Sequence, residues 1–434
     1  MSVQMKFPLY ILVSILMSFF LFPISFTFLP SVNTKMIMAV LGVLAYVLES
    51  IASRNAYLYR GLIYVFLLAL SVSLCGLLSV IVNETSDFEY GTYVISFFVW
   101  TFAAYFVVWL IKTVHGEATV ELVCDYLISV AVWQCAIAIV IDQIPTIKNA
   151  VNSVVVGFGS MFSAGEGLER AGRLYGIGTA LDVAGTRFCA IISIIGIQLY
   201  EYFLKGRALR VIIYAISFFF VLVVGSMMSR TTMVGVIFFL LFLFFIVRQK
   251  RARFSFWFLF LTAIVFLICL LLYWRGGFFV DKIRFAFEGF FNLVETGRWS
   301  TTSTGELQDM YIFPENFSTW LIGDGYFMEP SLFDPNYIGD VSSWGMFYMG
   351  TDVGYLRFIY YFGLPGLLAF MLYFVLCTFL CISEIPQHKW VFVACLMMQL
   401  IIWFKVATDI FCIFALFLCV IQLSSAEQQK DGLM

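Results

Sequence analysis

Arginines set among glycines are the first residues in this sequence with an evident chemical use. Between Gly157 and Gly185 the chain reads GFGSMFSAGEGLERAGRLYGIGTALDVAG, which contains Arg170 and Arg173, and Arg187 follows it. Glycine permits close approach of the backbone to a ligand. The planar guanidinium group offers paired donors to phosphate oxygens. The stretch therefore predicts a site for a phosphate-type anion.

The same stretch permits a simpler interpretation. Glu166 and Arg170, and likewise Glu169 and Arg173, are four residues apart. This is the spacing of ion pairs along one face of a helix, so a short salt-bridged helix is an equal alternative. No P-loop or dinucleotide-binding fingerprint is present to decide between the two.

A further arginine, Arg230, lies in the short stretch GSMMSRTTMVG between two strongly apolar runs. Such a residue can anchor a helix end by extending its charge to the membrane surface. However, the turn is tight, and an arginine between two membrane helices usually faces a protein cavity. The functional interpretation is therefore favoured for Arg230.

Two carboxylates, one late in the chain and one inside the glycine-rich stretch, are candidate bases. Asp352 and Arg357 belong to TDVGYLRFIYYFGLPG, which leads into a late apolar run. A carboxylate there is placed to take a proton from a hydroxyl group, or it simply pairs with the arginine. Asp182 is the second candidate. Lys405 and Asp409, four residues apart, are interpreted as a structural ion pair.

The composition shows what must position these residues. Of 434 residues, 62% are hydrophobic and only 12% are charged, and the mean hydropathy is +0.97. Soluble domains are nearer half apolar and a quarter charged, so a bilayer is the expected solvent. A net charge of -2 argues against a nucleic-acid partner.

The hydropathy predicts an all-α polytopic membrane protein with about twelve transmembrane helices, in one integral membrane domain over 1–434. Alternation of period two, typical of membrane barrels, is absent. Lys405 and Asp409 interrupt the last apolar run, and a single tilted helix there would make eleven spans. The twelve spans cover residues 7–29, 36–52, 61–82, 93–112, 118–141, 187–204, 211–228, 231–247, 254–274, 360–383, 390–404 and 407–423.

The distribution of positive charge predicts the orientation. With the N-terminus inside, thirteen Lys and Arg fall in cytoplasmic segments and three in short outer loops, as the positive-inside rule requires. Both termini are then cytoplasmic. Residues 142–186 and 275–359 form two long extracytoplasmic loops, and long polar loops are usually functional. Tyr and Trp in the second loop suit contact with sugar rings or with the membrane interface.

Four motifs occur in a characteristic order: RLYGIGTALDVAG (173–185), SRTTMVG (229–235), LIGDGYF (321–327) and DVGYLRFIYYFGLPG (352–366). Together they resemble the O-antigen polymerase and ligase superfamily of bacterial envelopes, especially the Wzy-type polysaccharide polymerases. The resemblance covers roughly 165–385, and the first five spans match only in hydropathy. It implies a GT-C-like fold in the bacterial inner membrane.

The resemblance also implies the substrates. Members act on undecaprenyl-pyrophosphate-linked oligosaccharides, as donor and as acceptor, at the outer face. Ligases of the superfamily need a histidine in the large outer loop. His115 and His388 are the only histidines here, and both are predicted to be cytoplasmic, which favours a polymerase. A chain-length regulator is a further expected partner, and no cofactor or metal is expected.

Roles follow from this chemistry. Fixed arginines stabilise a leaving pyrophosphate, so Arg173 and Arg230 are the predicted catalytic cations, with Asp352 as the base. The expected substrate-binding residues are Arg170, Asp182, Arg187, Tyr355 and Arg357. The alternatives are an O-antigen ligase and a flippase or transporter for the same lipid-linked units. Transporters tend to show internal repeats and charges near the bilayer midplane, which are not evident here.

Overall fold

A computed structural model describes residues 3–156, 172–332, 337 and 346–431. Its only sheet in these ranges is a hairpin of Ser25–Phe26 and Leu29–Asn33. The rest is mainly helical, as predicted. The helices are α1 Val3–Leu21, α2 Thr34–Ser53, α3 Arg60–Val82, α4 Tyr93–His115, α5 Val120–Gln143, α6 Pro145–Val154, α7 Leu181–Leu204, α8 Ala208–Met228, α9 Thr232–Leu241, α10 Arg251–Arg275, α11 Phe279–Ala286, α12 Glu288–Thr296, α13 Thr302–Asp309, α14 Phe317–Leu321, α15 Gly354–Glu384, α16 Lys389–Ile402 and α17 Phe411–Asp431.

Nine helices in the described ranges are long and apolar enough to cross a membrane. They are α2, α3, α4, α5, α7, α8, α10, α15 and α17. The chain is thus a helical, multi-pass membrane protein. Three more predicted spans correspond to shorter apolar helices: residues 7–21 of α1, α9 with the π-helical turn Phe242–Ile246 that continues it, and α16.

The first predicted span is wrong at its end. Residues 7–29 were expected to form one helix, but α1 ends at Leu21 and the chain turns into the hairpin. Pro23 follows directly, and a proline disfavours helical conformation in the residue before it. Pro30 then lies in the second strand, which pairs on one side only.

The last apolar run contains two helices rather than one. Residues 403–410 separate α16 from α17, so the alternative of a single tilted helix is wrong. The indole N–H of Trp403 donates to the carbonyl of Thr408 at 2.8 Å, and Gln399 Nε2 donates to the same oxygen at 3.0 Å. These bonds satisfy the carbonyl group of Thr408 in the polar turn between the two apolar helices.

The tenth span also begins earlier than predicted. Helix α15 starts at Gly354, not near residue 360, and it is kinked at Phe362 and Gly363. Gly363 has φ +69°, outside the helical region, and Pro365 follows it. The kink makes residues 354–361 a separate helical segment that supports the candidate site.

Gly323→Ala is expected to destabilise this kink. Gly323 has φ +84°, and a Cβ there would lie 2.5 Å from the Tyr361 carbonyl oxygen. A left-handed conformation alone costs an L-residue about 1–2 kcal/mol, and the clash adds to it. Thermal unfolding in detergent should show a lower Tm than wild type. Gly305→Ala is the matched control, because its Cβ would meet nothing within 4 Å and alanine favours the α13 helix; an equal Tm for both variants would contradict the argument.

The polar loops meet at one end of the helix bundle, here called the loop face. The backbone N–H of Val156 donates to Ser25 O at 2.9 Å, and Thr85 Oγ1 donates to Gly325 O at 2.9 Å. Tyr311 Oη donates to Phe404 O at 2.9 Å. Lys282 Nζ lies 3.1 Å from Asp142 Oδ1 and joins the two long loops. The described parts of both loops are therefore neighbours of the first hairpin, residues 83–92 and residues 403–410.

The opposite face holds both histidines and the end of the last helix. Helix α4 runs from Tyr93 at the loop face to His115, about 33 Å away at 1.5 Å per residue. His388 Nε2 lies 3.0 Å from Glu121 Oε1, and Lys112 Nζ lies 2.9 Å from Glu427 Oε1. Neither histidine is near the loop face.

Candidate active site

The first two motif segments pack against each other at the loop face. The backbone N–H of Leu174 donates to the carbonyl of Met227 at 3.1 Å. A Cβ on Gly185 would lie 2.4 Å from Ser229 Oγ, so glycine lets the start of α7 approach the turn between α8 and α9 closely. The arginines of the two motifs are thereby brought to one place.

The last two motif segments also pack against each other. The backbone N–H of Asp324 donates to Tyr360 O at 2.6 Å. Arg357 Nη2 donates to Phe327 O at 2.9 Å. The LIGDGYF turn therefore lies on the first, kinked-off segment of α15 and fixes the position of the residues just before that helix.

Arg173 and Arg230 share one aromatic ring. Their guanidinium carbons lie 4.9 Å and 4.2 Å from the centroid of the Phe285 ring, so the two carbons are at most about 9 Å apart, the sum of these distances. A cation over an aromatic face is attracted by the ring quadrupole. Phe285, from α11 in the second long loop, thus holds two arginines from two other segments.

Arg230 forms hydrogen bonds and an ion pair with other residues of the protein. Its Nε donates to Phe285 O at 2.8 Å and its Nη1 donates to Ser303 Oγ at 3.0 Å. Nη1 also pairs with Glu288 Oε2 at 2.6 Å, in a mostly buried ion pair. The Glu288 carboxylate therefore occupies the position that an anionic ligand of Arg230 would need.

Glu288→Gln is expected to lower the KM for a pyrophosphate-bearing substrate about 3- to 10-fold. The amide keeps an acceptor for Thr302, whose Oγ1 donates to Glu288 Oε1 at 2.8 Å. It removes the negative charge that competes with the substrate anion for Arg230. Initial rates against substrate concentration give the KM. Glu295→Gln is the control, because its pair with Arg284 is exposed and such pairs contribute little. A higher KM in Glu288→Gln would contradict the competition argument.

Arg173, in contrast, lacks such partners among the described residues. Its Nε is buried without a hydrogen-bond partner, and its contact is with the Phe285 ring. Burial lowers the pKa of Arg173, while the charges of Asp182 and Glu306 raise it, and a guanidinium stays charged in proteins. A buried cation without a paired anion is costly, so Arg173 is poised to bind one. The predicted partner Glu169, like Glu166 and Arg170, lies outside the described residues.

Lys405 adds a third cation, and the ion pair predicted for it is wrong. Its Nζ donates to Thr231 Oγ1 at 2.9 Å, while Asp409 accepts from the backbone N–H of Phe411 at 2.9 Å at the start of α17. Burial lowers the pKa of Lys405, and the carboxylates of Asp182 and Asp352 raise it. Lys405 therefore joins the arginines, and we call Arg173, Arg230 and Lys405 the cation cluster.

Two carboxylates lie beside the cation cluster. Burial, with a smaller contribution from the charge of Asp182, raises the pKa of Asp352 to about 7, although Arg357 and Lys405 oppose this shift. A carboxylate that titrates near neutral pH is well suited to exchange a proton. Asp182 lies in the first turn of α7, just after Leu181, which has φ +47°. Strained backbone of this kind is typical of functional sites.

Arg357 positions Asp352 rather than facing open space. Its Nη1 lies 3.4 Å from Asp352 Oδ1, and its guanidinium carbon lies 3.7 Å and 4.4 Å from the ring centroids of Phe327 and Phe347. The side chain is 6% exposed. The interpretation of the two charges as a pair is thus supported, and Arg357 links the carboxylate to the LIGDGYF turn.

Two other predicted substrate-binding residues are used elsewhere in the fold. Arg187 is buried in α7, where Nη1 donates to Leu21 O and the guanidinium lies 5.5 Å from the Phe22 ring centroid. Tyr355 donates its hydroxyl to Leu400 O at 2.8 Å. Both side chains hold helices together, and neither is in contact with the cation cluster.

Sequence reasoning missed Phe285 and Glu288. Phe285 is one of 50 phenylalanines, and nothing in its spacing distinguishes it. Asp87 was missed as well: its Oδ2 accepts from the backbone N–H of Phe327 at 2.8 Å and ties residues 83–92 to the LIGDGYF turn. The available signal was the concentration of acids in NETSDFEYGT.

No family model, curated protein or solved structure matched this chain when it was compared with all three. Within the described part of the chain, no group of three His, Cys, Asp or Glu side chains is arranged to hold a metal ion. The functional interpretation therefore depends on the chemistry of the site. Three cations lie close together with two carboxylates beside them, an arrangement suited to stabilise a polyphosphate anion while moving a proton.

Proposed function

We propose that the protein is a Wzy-type polysaccharide polymerase of the bacterial inner membrane. It transfers a growing undecaprenyl-pyrophosphate-linked glycan onto the next lipid-linked repeat unit at the outer face. The observation that carries the proposal is the shared position of Arg173 and Arg230 over Phe285, beside Lys405 and Asp352. This proposal takes the loop face as the outer face.

In the proposed reaction, a hydroxyl oxygen of the acceptor sugar attacks the anomeric carbon of the donor glycan. The bond between that carbon and the pyrophosphate oxygen breaks, and the electron pair leaves with undecaprenyl pyrophosphate. The hydroxyl proton passes to the carboxylate of Asp352. Direct displacement inverts the configuration at the anomeric carbon.

The cation cluster supplies the stabilisation. Negative charge grows on the leaving pyrophosphate in the transition state, and cations held in place by the protein stabilise it more than they stabilise the ground state. The glycosyl pyrophosphate is already activated, so no nucleotide is consumed. The cluster takes the place that a metal ion holds in other phosphate chemistry, and the reaction is proposed to need no metal.

The positions of the histidines favour polymerisation over ligation. A superfamily ligase is expected to use a histidine at the outer face, whereas His115 and His388 contact Tyr126 and Glu121 at the opposite face. A flippase is less well supported, because the described charges of the site gather at one end of the bundle rather than along a path through it.

The proposal is tested by reconstituting the purified protein in proteoliposomes with a defined lipid-linked repeat unit. The expected result is a ladder of lengthened lipid-linked products with new glycosidic bonds of inverted configuration, unaffected by a chelator. Lipid movement without new bonds would indicate a flippase and overturn the proposal. Transfer to lipid A–core alone would indicate a ligase, and activity restored only by a divalent cation would overturn metal independence.

A further inference from the structure

Helix α10 is the least enclosed of the membrane-spanning helices. Only 6% of its apolar window is buried, against 94% for α7. Near its start, Phe254 and Phe258 contact the rings of helices α7 to α9, with Phe258 and Phe239 centroids 5.3 Å apart. Beyond these residues, Cys269 is its only buried side chain. Helix α10 therefore stands beside the bundle and leaves a space.

This space is an apolar groove between α8 and α10, with a volume of about 590 Å³. Every described side chain that lines it is apolar, in one stripe on each helix. On α8 the groove extends from Ile212 to Met227, about 22 Å at 1.5 Å per residue. This is most of the roughly 30 Å hydrocarbon thickness of a bilayer.

The groove ends beside segments that carry or hold the cation cluster. At the loop face its lining includes Phe279 and Ile283 of α11, and the same short helix carries Phe285, which holds both arginines. On the α8 side, Met227 is the last lining residue, three residues before Arg230 in the sequence. A molecule with an anionic head at the arginines and a long apolar tail fits both parts at once.

We propose that the α8–α10 groove binds the polyprenyl tail of the lipid whose pyrophosphate is held by Arg173 and Arg230. This inference rests on the proposed function, which supplies the lipid pyrophosphate. A phospholipid has acyl chains suited to the groove but no pyrophosphate for the two arginines. The groove thus selects for tail length, and the cation cluster selects for the head.

The test is binding of a photoactivatable undecaprenyl pyrophosphate to the full-length protein in nanodiscs, with geranyl pyrophosphate as the short-tailed competitor. Ile216→Trp fills the groove from an exposed lining position, and Ile213→Trp is the control on the same helix, exposed but outside the groove. We expect crosslinks in α8 and α10. Ile216→Trp should weaken undecaprenyl pyrophosphate binding about tenfold and geranyl pyrophosphate binding less than twofold, and Ile213→Trp should change neither.

A second variant distinguishes loss of groove binding from a folding defect caused by Ile216→Trp. Val265→Trp fills the groove from α10 and should reproduce the selective loss. Crosslinks on other faces, equal weakening by Ile213→Trp, or groove labelling by a phospholipid probe that undecaprenyl pyrophosphate does not displace would overturn the inference. Crosslinks in the groove without polymerisation would refute the proposed function alone, and polymerisation with crosslinks elsewhere would refute the groove alone.

Discussion

Arg173→Ala is expected to lower polymerisation of a lipid-linked repeat unit by about two to three orders of magnitude, the usual cost of removing one preorganised donor from a developing anion. Arg173 is the cluster arginine whose Nε is buried without a hydrogen-bond partner among the described residues. Its removal therefore breaks few contacts of the fold and takes away a cation available to substrate. Initial rates of product-ladder formation by reconstituted protein measure the effect.

Two further variants separate charge from geometry. Arg173→Lys keeps the charge but lacks the planar fork that binds two phosphate oxygens, so its rate should lie between those of wild type and Arg173→Ala. Arg284→Ala is the matched control, since Arg284 forms an exposed pair with Glu295 in the same loop face. Full-length ladders from both Arg173→Ala and Arg230→Ala, at normal protein levels, would exclude a pyrophosphate role for the cation cluster.

Much of the helix arrangement could be predicted from sequence, because a membrane helix must be apolar along its whole length. Helices were found at all twelve predicted places, including both sides of residues 403–410. The errors occurred where single residues override hydropathy. Pro23 follows the end of the first helix too soon, and Gly363 with Pro365 bends a helix that begins six residues before its predicted start.

The candidate site was predictable in part. Arg173, Arg230, Asp182 and Asp352 stood out because charges in short motifs beside apolar runs need a reason. The aromatic ring that Arg173 and Arg230 share was not predictable, since Phe285 contacts the two arginines only through long-range packing that leaves no periodic signal. Lys405 was misjudged because the four-residue spacing to Asp409 counts only within one helix, and a turn intervenes.

Asp352→Asn is expected to lower the polymerisation rate by about 10²- to 10⁴-fold, the usual contribution of a general base. The asparagine keeps the size of the side chain and can still accept from Arg357, whose Nη1 lies 3.4 Å from Asp352 Oδ1. Wild-type kcat/KM should fall as pH drops through about 7, with the slope of a single protonation. The reason is that burial raises the pKa of Asp352 to about 7 and only the carboxylate form accepts a proton. Initial rates between pH 5 and 9 measure the profile.

Two charged neighbours of Asp352 allow its assignment as the base to be tested by opposite shifts of the pH profile. Lys405 lowers the pKa of Asp352 and Asp182 raises it. Lys405→Met should therefore move the acid limb of kcat/KM to higher pH, and Asp182→Asn should move it to lower pH while activity persists at neutral pH. If Asp182 is the base instead, Asp182→Asn abolishes the reaction and Asp352→Asn only shifts its profile. Opposite shifts from Lys405→Met and Asp182→Asn are the result that a merely structural Asp352 would not produce, because the limb would then belong to another group.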